Sequence, residues 1–214
     1  RLLLPLGLAA SLALGSAPVA GQALPRPDGW RVRVDGAASD TVHYVRMPPG
    51  WHMTTGPGAL LYDPAYVARG HFAIEAEIFL FPGTSQSGYG IFVGGSHLEA
   101  GAPSYLALLI RRDGQVALER VQGETRTLLA PWSASGAIRP HPGGDEVVQN
   151  VIRLSVERDS LVVEANAARV LAVPRGELAL DGTFGFRVGA DVNLHASRLD
   201  HLQHLAPVPA RKTN

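Results

Sequence analysis

Glu75 and Glu77 stand two positions apart in the run His71-Phe72-Ala73-Ile74-Glu75-Ala76-Glu77-Ile78-Phe79. On a strand, side chains alternate, so both carboxylates share one face, about 7 Å apart at the backbone. Glycoside hydrolysis needs two carboxyls across a sugar ring, about 5 to 10 Å apart depending on mechanism. The pair therefore meets the spacing for acid/base work. It equally fits the wetted face of an antiparallel sheet. An acid also needs a raised pKa, and nothing in the sequence around either residue supplies one. His71 lies on the same face. Tyr105 and Arg111 share a face of a second strand, expected beside it. Tyr105 would offer a stacking surface and Arg111 paired hydrogen bonds to hydroxyls or carboxylates. Together His71, Glu75, Glu77, Tyr105 and Arg111 form the expected site.

Other chemistry is weaker. Eight histidines are present, and His201-Leu202-Gln203-His204 brings two close without a metal-ligand spacing. No nucleophile elbow supports Ser-His-Asp catalysis. Trp51, Tyr62, Tyr89 and Trp132, with Arg187, are further groups of the kind that holds sugars; Trp51 and Tyr105 suit the packed edge of a sandwich equally well.

The elements that must position these groups read as strands. Gly 24 and Pro 16 punctuate short apolar runs along the 214 residues, and no long stretch has a 3.6-residue period. Phe72, Ile74, Ala76, Ile78 and Leu80 form the apolar face of the longest strand. Ser104 to Arg111 and Gln115 to Gln122 flank Asp113-Gly114, which predicts a two-residue hairpin. Val151 to Glu157 and Leu161 to Asn166 alternate about a polar turn, and Gly182 to Gly189 makes another strand. Asp63 to Arg69 reads as a loop with room for one helical turn, Gly94-Gly95 as a strand end, and Ser133 to Asp145 as an exposed loop. The expected fold is an all-β, two-sheet antiparallel β-sandwich. Its core is Phe72, Ile74, Ile78, Ile152, Leu154, Val156, Phe184 and Phe186.

Arg1 followed by an apolar run to Leu14 and the small-residue exit Gly21-Gln22-Ala23 has the form of a secretory signal peptide, residues 1–23. The run is too short, at roughly 20 residues needed, to span a bilayer. The mature domain is then expected over 24–205, with a disordered tail at 206–214, in a secreted or periplasmic location. There is no cysteine, so no disulfide frame is expected. Lys+Arg 19 balances Asp+Glu 19 without a basic stripe, which argues against nucleic acid or an anionic membrane as partner.

Four segments carry a family resemblance: Gly70 to Ile78, Ser87 to Val93, Tyr105 to Arg111 with Asp113-Gly114, and Asn150 to Val170 followed by Phe184-Gly185-Phe186-Arg187. In that order they resemble the concanavalin A-like lectin and glucanase superfamily, nearest its laminin G-like and 3-keto-disaccharide hydrolase members. The resemblance covers most of residues 58 to 202. It implies a lectin-like jelly roll with a ligand on a concave sheet. Three departures stand out. The Glu-x-Asp-x-x-Glu strand of laminarinase-type members is absent, Asn166-Ala167 stands where a glycine is usual, and Gln149 replaces a tryptophan. The first expectation is a non-catalytic carbohydrate- or glycan-binding module. The alternatives are a glycoside hydrolase of the keto-disaccharide type and a structural or protein-interaction domain. No cofactor is required. The resemblance admits Ca2+ in loops, where Asp63, Asp145 and Asp191 are the carboxylates at hand.

Overall fold

The computed structural model describes residues 26–37 and 39–203. The expected signal segment 1–23, the expected tail 206–214 and His204 lie outside the described residues. Among those described, every regular element is a strand: β1 (Arg31–Val34), β2 (His43–Arg46), β3 (Trp51–Thr54), β4 (Ala59–Ala68), β5 (Phe72–Leu80), β6 (Tyr89–Ser96), β7 (Ser104–Ile110), β8 (Gln115–Gln122), β9 (Thr125–Ala134), β10 (Val148–Val156), β11 (Ser160–Ala165), β12 (Ala168–Pro174), β13 (Gly182–Val188) and β14 (Asn193–Gln203). They form two antiparallel sheets of seven strands. The first is ordered β1-β4-β13-β6-β7-β8-β9, the second β12-β11-β10-β5-β14-β3-β2.

The core lies between them, as the alternation predicts. Phe72, Ile74, Ala76, Ile78 and Leu80 of β5 face Phe186, Val188, Ile91, Leu108 and Leu118 of the first sheet, all buried. The eight core residues expected from the sequence are all no more than 4% exposed. Trp30 and Trp51 close one edge against Phe186, with ring centroids 5.9 and 5.7 Å from it.

Several expectations need correcting. Asp63 to Arg69 is neither loop nor helical turn, because β4 runs on to Ala68. Its register on β13 jumps from Tyr62↔Gly185 to Val67↔Thr183. Pro64 thus sits in a bulge, where no ladder donor is needed. Gly94-Gly95 does not end β6, which continues to Ser96 across a register shift. The hairpin at Asp113-Gly114 is a three-residue turn. Arg111 donates to the Gln115 carbonyl, and Gly114 takes the left-handed position at φ 82°. The short β3 and the edge strand β12 were not anticipated.

The turn from β11 to β12 explains one departure from the family pattern. Asn166 and Ala167 both have positive φ, 50° and 66°, as a tight two-residue hairpin requires. Ala at such a φ is strained by about 1 kcal/mol or more. The Asn166 side chain offsets this. It accepts from the Val151 N–H at 2.9 Å and donates to the Ala137 carbonyl at 2.7 Å and Asn150 Oδ1 at 2.8 Å.

Candidate functional site

Glu75 and Glu77 do share the outer face of the second sheet, as alternation requires. Their neighbours are β10 and β14. Glu75 is held by Arg198 at 2.9 Å and Arg153 at 3.8 Å. Arg153 reaches on to Glu164 at 3.6 Å, and Arg198 to Asp200 at 2.7 Å. Glu77 accepts from Ser197 Oγ at 2.6 Å and from Gln149 Nε2. The Ser197 hydrogen bond, helped by Gln149 and by Arg198, holds its carboxyl below the usual range against a smaller opposing effect of burial. This is a cross-strand ladder of opposite charges. Beside it lies an open depression of about 450 Å³ lined by Glu75, Arg139, Gln149, Arg153, Glu164 and Asn166. A carboxylate held ionised cannot serve as general acid near neutral pH. His71 lies just before β5, exposed, its carbonyl accepting from Gln203 Nε2. Further along this face, His52 pairs across the strands with His195, ring centroids 6.4 Å apart. Burial first, and the His195 charge second, push the His52 pKa down.

Tyr105 and Arg111 are not on a neighbouring strand. β7 belongs to the first sheet and β5 to the second. The five residues expected to form one site are therefore split between opposite faces of the sandwich. Tyr105 is also only 4% exposed and packs edge-on to Phe92 at 5.6 Å. Its ring is part of the packing and offers no open stacking face.

The outer face of the first sheet has the features of a groove. Leu60, Tyr62, Phe92, Tyr105, Ala107, Leu109 and Val121 point away from the core and are nonetheless buried. Leu98, in the loop after β6, packs among them. The ion pairs show how the sheet is shaped. Asp35 follows β1 at one edge, and Arg126 lies on β9 at the other. Six strand spacings in a flat sheet would be about 29 Å, yet Arg126 Nη2 lies 3.6 Å from Asp35 Oδ2. The sheet must curl toward its outer face, so this face is concave. A recess of about 300 Å³ there is lined by Arg33, Asp35, Leu60, Tyr105, Val121, Glu124 and Arg126.

Arg187 stands on the floor of this concavity, 7% exposed. It points outward because Phe186 and Val188, its neighbours on β13, point into the core. Its Nη2 donates to Asp35 Oδ2 at 2.5 Å, and its Nη1 donates to no described acceptor. Gly58 makes the contact feasible: a Cβ there would stand 2.7 Å from Asp35 Oδ2 and 3.2 Å from Arg187 Nη2. On the other side, its register partner Gly90 carries no side chain. Arg126 also binds Glu119 at 2.6 Å. Burial pushes the Tyr105 phenol pKa up, against the pull of Arg187 and Arg126. Beyond Leu109, Arg111 lies 3.7 Å over the half-buried ring of Trp132. A Cβ at Gly88 would be 2.8 Å from that ring.

The chain superposes on a carbohydrate binding module, CBM66 from Bacillus subtilis, with a TM-score of 0.62 at 12% identity, over 82% of this chain and 96% of that one. A protein of unknown function with a galectin-like fold, also from Bacillus subtilis, gives a TM-score of 0.58 at 14% identity over 81% and 89%. A glycoside hydrolase family 16 endo-glucanase from Bacteroides ovatus gives 0.52 at 9% identity over 81% and 94%. The fold is that of the concanavalin A-like lectins and glucanases. No family model and no curated protein sequence matches the chain.

Within the concanavalin A-like fold, sequence reasoning named Arg187, Tyr105, Arg111 and Trp132 but missed Asp35, Glu119, Arg126 and Arg33. Asp35 lies 152 residues from Arg187 in sequence. Only the strand order brings them together. Of the other aromatic residues named, Tyr62 and Tyr89 are buried and Trp51 packs on Trp30 at 5.1 Å. Among the described residues no group of three or more His, Asp or Glu side chains is disposed to hold a metal ion. Asp63 instead accepts from the Ala65 N–H at 2.9 Å.

Proposed function

We propose that this chain is a non-catalytic, glycan-binding β-sandwich module with its ligand in the concave face of the first sheet. One observation carries the reading: a buried arginine, Arg187, with an unused donor on the floor of a curled sheet. Leaving such a donor without a partner costs about 1–3 kcal/mol or more, and a sugar hydroxyl or acidic group would remove that cost. The surrounding groups suit a saccharide. Asp35 and Glu119 offer acceptors, Arg126 and Arg33 donors, and the Arg111–Trp132 pair a flat apolar and cationic surface. The carbohydrate binding module of similar fold supports the same reading. The apolar N-terminal segment supports export, to the periplasm or beyond. Glu75 and Glu77 fall outside the proposed site because Arg153 and Arg198 already hold the one and Ser197 and Gln149 the other, and His71 because it lies exposed ahead of β5 on that same side.

A second reading is glycoside hydrolysis, favoured by one observation: Asp35 and Glu119 converge on the same guanidinium, Arg126, at 3.6 and 2.6 Å. A glycan array followed by a hydrolysis assay on each retained glycan separates the two. The binding reading expects retention without turnover, abolished by Arg187→Met and kept by Glu77→Gln. Turnover lost in Glu119→Gln with binding kept establishes the hydrolase. Binding lost in Glu77→Gln and kept in Arg187→Met moves the site to the second sheet.

A further inference from the structure

The charges along the concave face do not pair off. Asp35 serves Arg187 at 2.5 Å and Arg126 at 3.6 Å, and Glu119 serves Arg126 at 2.6 Å. Arg33 and Arg111 have no carboxylate among the described residues. Arg33 Nη1 donates only to the carbonyls of Leu98 and Ala100, at 2.8 and 2.6 Å. Arg111 lies on Trp132, with its Nε unpartnered. At the rim, Arg31 is matched by Glu99 at 2.7 Å, and Glu124 lines the recess. With the rim included, five guanidiniums meet four carboxylates.

The unmatched groups are placed to act together. Register sets Arg33 opposite Leu60 and Leu60 opposite Arg187. Arg33 and Arg187 thus stand on a single row with one strand, β4, between them, about 10 Å between Cα atoms, within side-chain reach of one another. Arg111 lies on the far side of Arg187, two strands over. The concave surface carries three guanidiniums with spare donors, one of them buried. Arginine heads match the planar geometry of carboxylates and the oxygens of sulfate.

We infer that the ligand of this groove is an acidic saccharide, its carboxylate or sulfate groups received by Arg187 Nη1, Arg33 and Arg111. This rests on the glycan-binding reading and names the chemical class of the ligand. A neutral sugar would leave the positive charge of Arg33, which lines the recess, and of Arg111, which lies on Trp132, without a counter-charge.

The test uses the full chain on an array of oligosaccharides matched in backbone but neutral, uronate-bearing or sulfated. Retention is measured at 50 and 500 mM salt. The expected result is retention of uronate-bearing or sulfated members alone, weakened at the higher salt; which of the two binds identifies the source of the acid. Arg33→Gln and Arg111→Gln should each weaken binding about tenfold or more, the scale of a charged hydrogen bond. Arg33→Lys should keep most of the salt dependence while losing part of the affinity. Both positions are partly exposed, so thermal melts near the parent's are expected and confirm folded variants. Equal retention of neutral members, or unchanged affinity in both glutamine variants, overturns the acidic-ligand inference and leaves glycan binding standing. Retention of no saccharide overturns both.

Discussion

Phe186→Ala probes the element that carries the groove's buried arginine. Phe186 is fully buried at the centre of β13. It stacks on Trp30 at 5.9 Å with an interplanar angle of 17°, and tilts against Trp51 at 5.7 Å. Removing the ring forfeits its transfer free energy and leaves a cavity that two tryptophans can fill only in part. Fully buried Phe→Ala changes cost about 3–5 kcal/mol, and each aromatic pair lost contributes about 0.5–1.5 kcal/mol within that range. A urea titration reads this directly. With a slope of about 1–3 kcal/mol/M, the midpoint should fall by about 1 M or more. The matched control is Leu128→Ala. That side chain is 44% exposed, so its midpoint should move by no more than about 0.5 kcal/mol equivalent. Equal shifts in the two variants, or no shift in Phe186→Ala, would refute the placement of β13 across the core, and with it the outward aim of Arg187.

Three further outcomes follow from particular contacts. The Glu77 carboxyl titrates below its ordinary range in the folded protein, so its contribution to stability is present above the unfolded Glu pKa and lost as pH falls through the folded one. Glu77→Gln should therefore flatten the stability profile below about pH 4.5, measured by urea midpoints at pH 3 to 6, whereas an unchanged acid limb would contradict the Ser197 and Gln149 hydrogen bonds. His52 has a depressed pKa, so charging it costs the folded state and stability should decline as pH drops below about 6.5; His52→Gln should remove part of that decline in melts between pH 5 and 7.5. Gly58→Val should weaken glycan retention without touching a binding group, because its side chain would displace Asp35 from Arg187, and unaltered retention there would count against the Asp35–Arg187 arrangement as the site.

Local pattern carried the strands, because alternation of apolar residues is a property of each segment by itself. The face of β5 built on Phe72, Ile74, Ala76, Ile78 and Leu80 is as buried as its spacing demands. The β7–β8 hairpin forms where Asp113-Gly114 predicts a reversal, although the turn is one residue longer. Pattern could not say which strands become neighbours. β5 lies between β10 and β14, whose first residues, Val148 and Asn193, come 68 and 113 residues after Leu80, the last residue of β5. Placing Tyr105 and Arg111 beside Glu75 and Glu77 assumed that strands close in sequence share a sheet. In this sandwich the chain changes sheet between β5 and β6, so the two sets face opposite directions.

That change of sheet also decides which face can hold a ligand. On the second sheet, Glu164, Arg153, Glu75 and Arg198 alternate in sign from strand to strand, so the charges there pair with one another. On the first sheet the outward residues of β4, β6, β7 and β8 are largely apolar, and most of the charges come from its two sides, Arg33 and Asp35 from the β1 edge and Glu119 and Arg126 from β8 and β9, with Arg187 between them on β13. Curling brings these ends over an apolar floor that excludes water. A guanidinium there exchanges hydration for whatever oxygens the groove supplies, and Asp35 supplies them to one nitrogen of Arg187 only. The unused donor is thus a consequence of the same curvature that makes the groove. Straightening the sheet would separate Asp35 from Arg126, expose Arg187 to solvent and remove both the recess and its unmet hydrogen bond. Asp35→Asn tests that coupling: the Arg126 bridge should loosen, which faster hydrogen exchange at the β1 and β9 edges would report, and glycan retention should fall with it. Exchange at both edges unchanged from the parent would mean that the curl is set by the apolar floor alone.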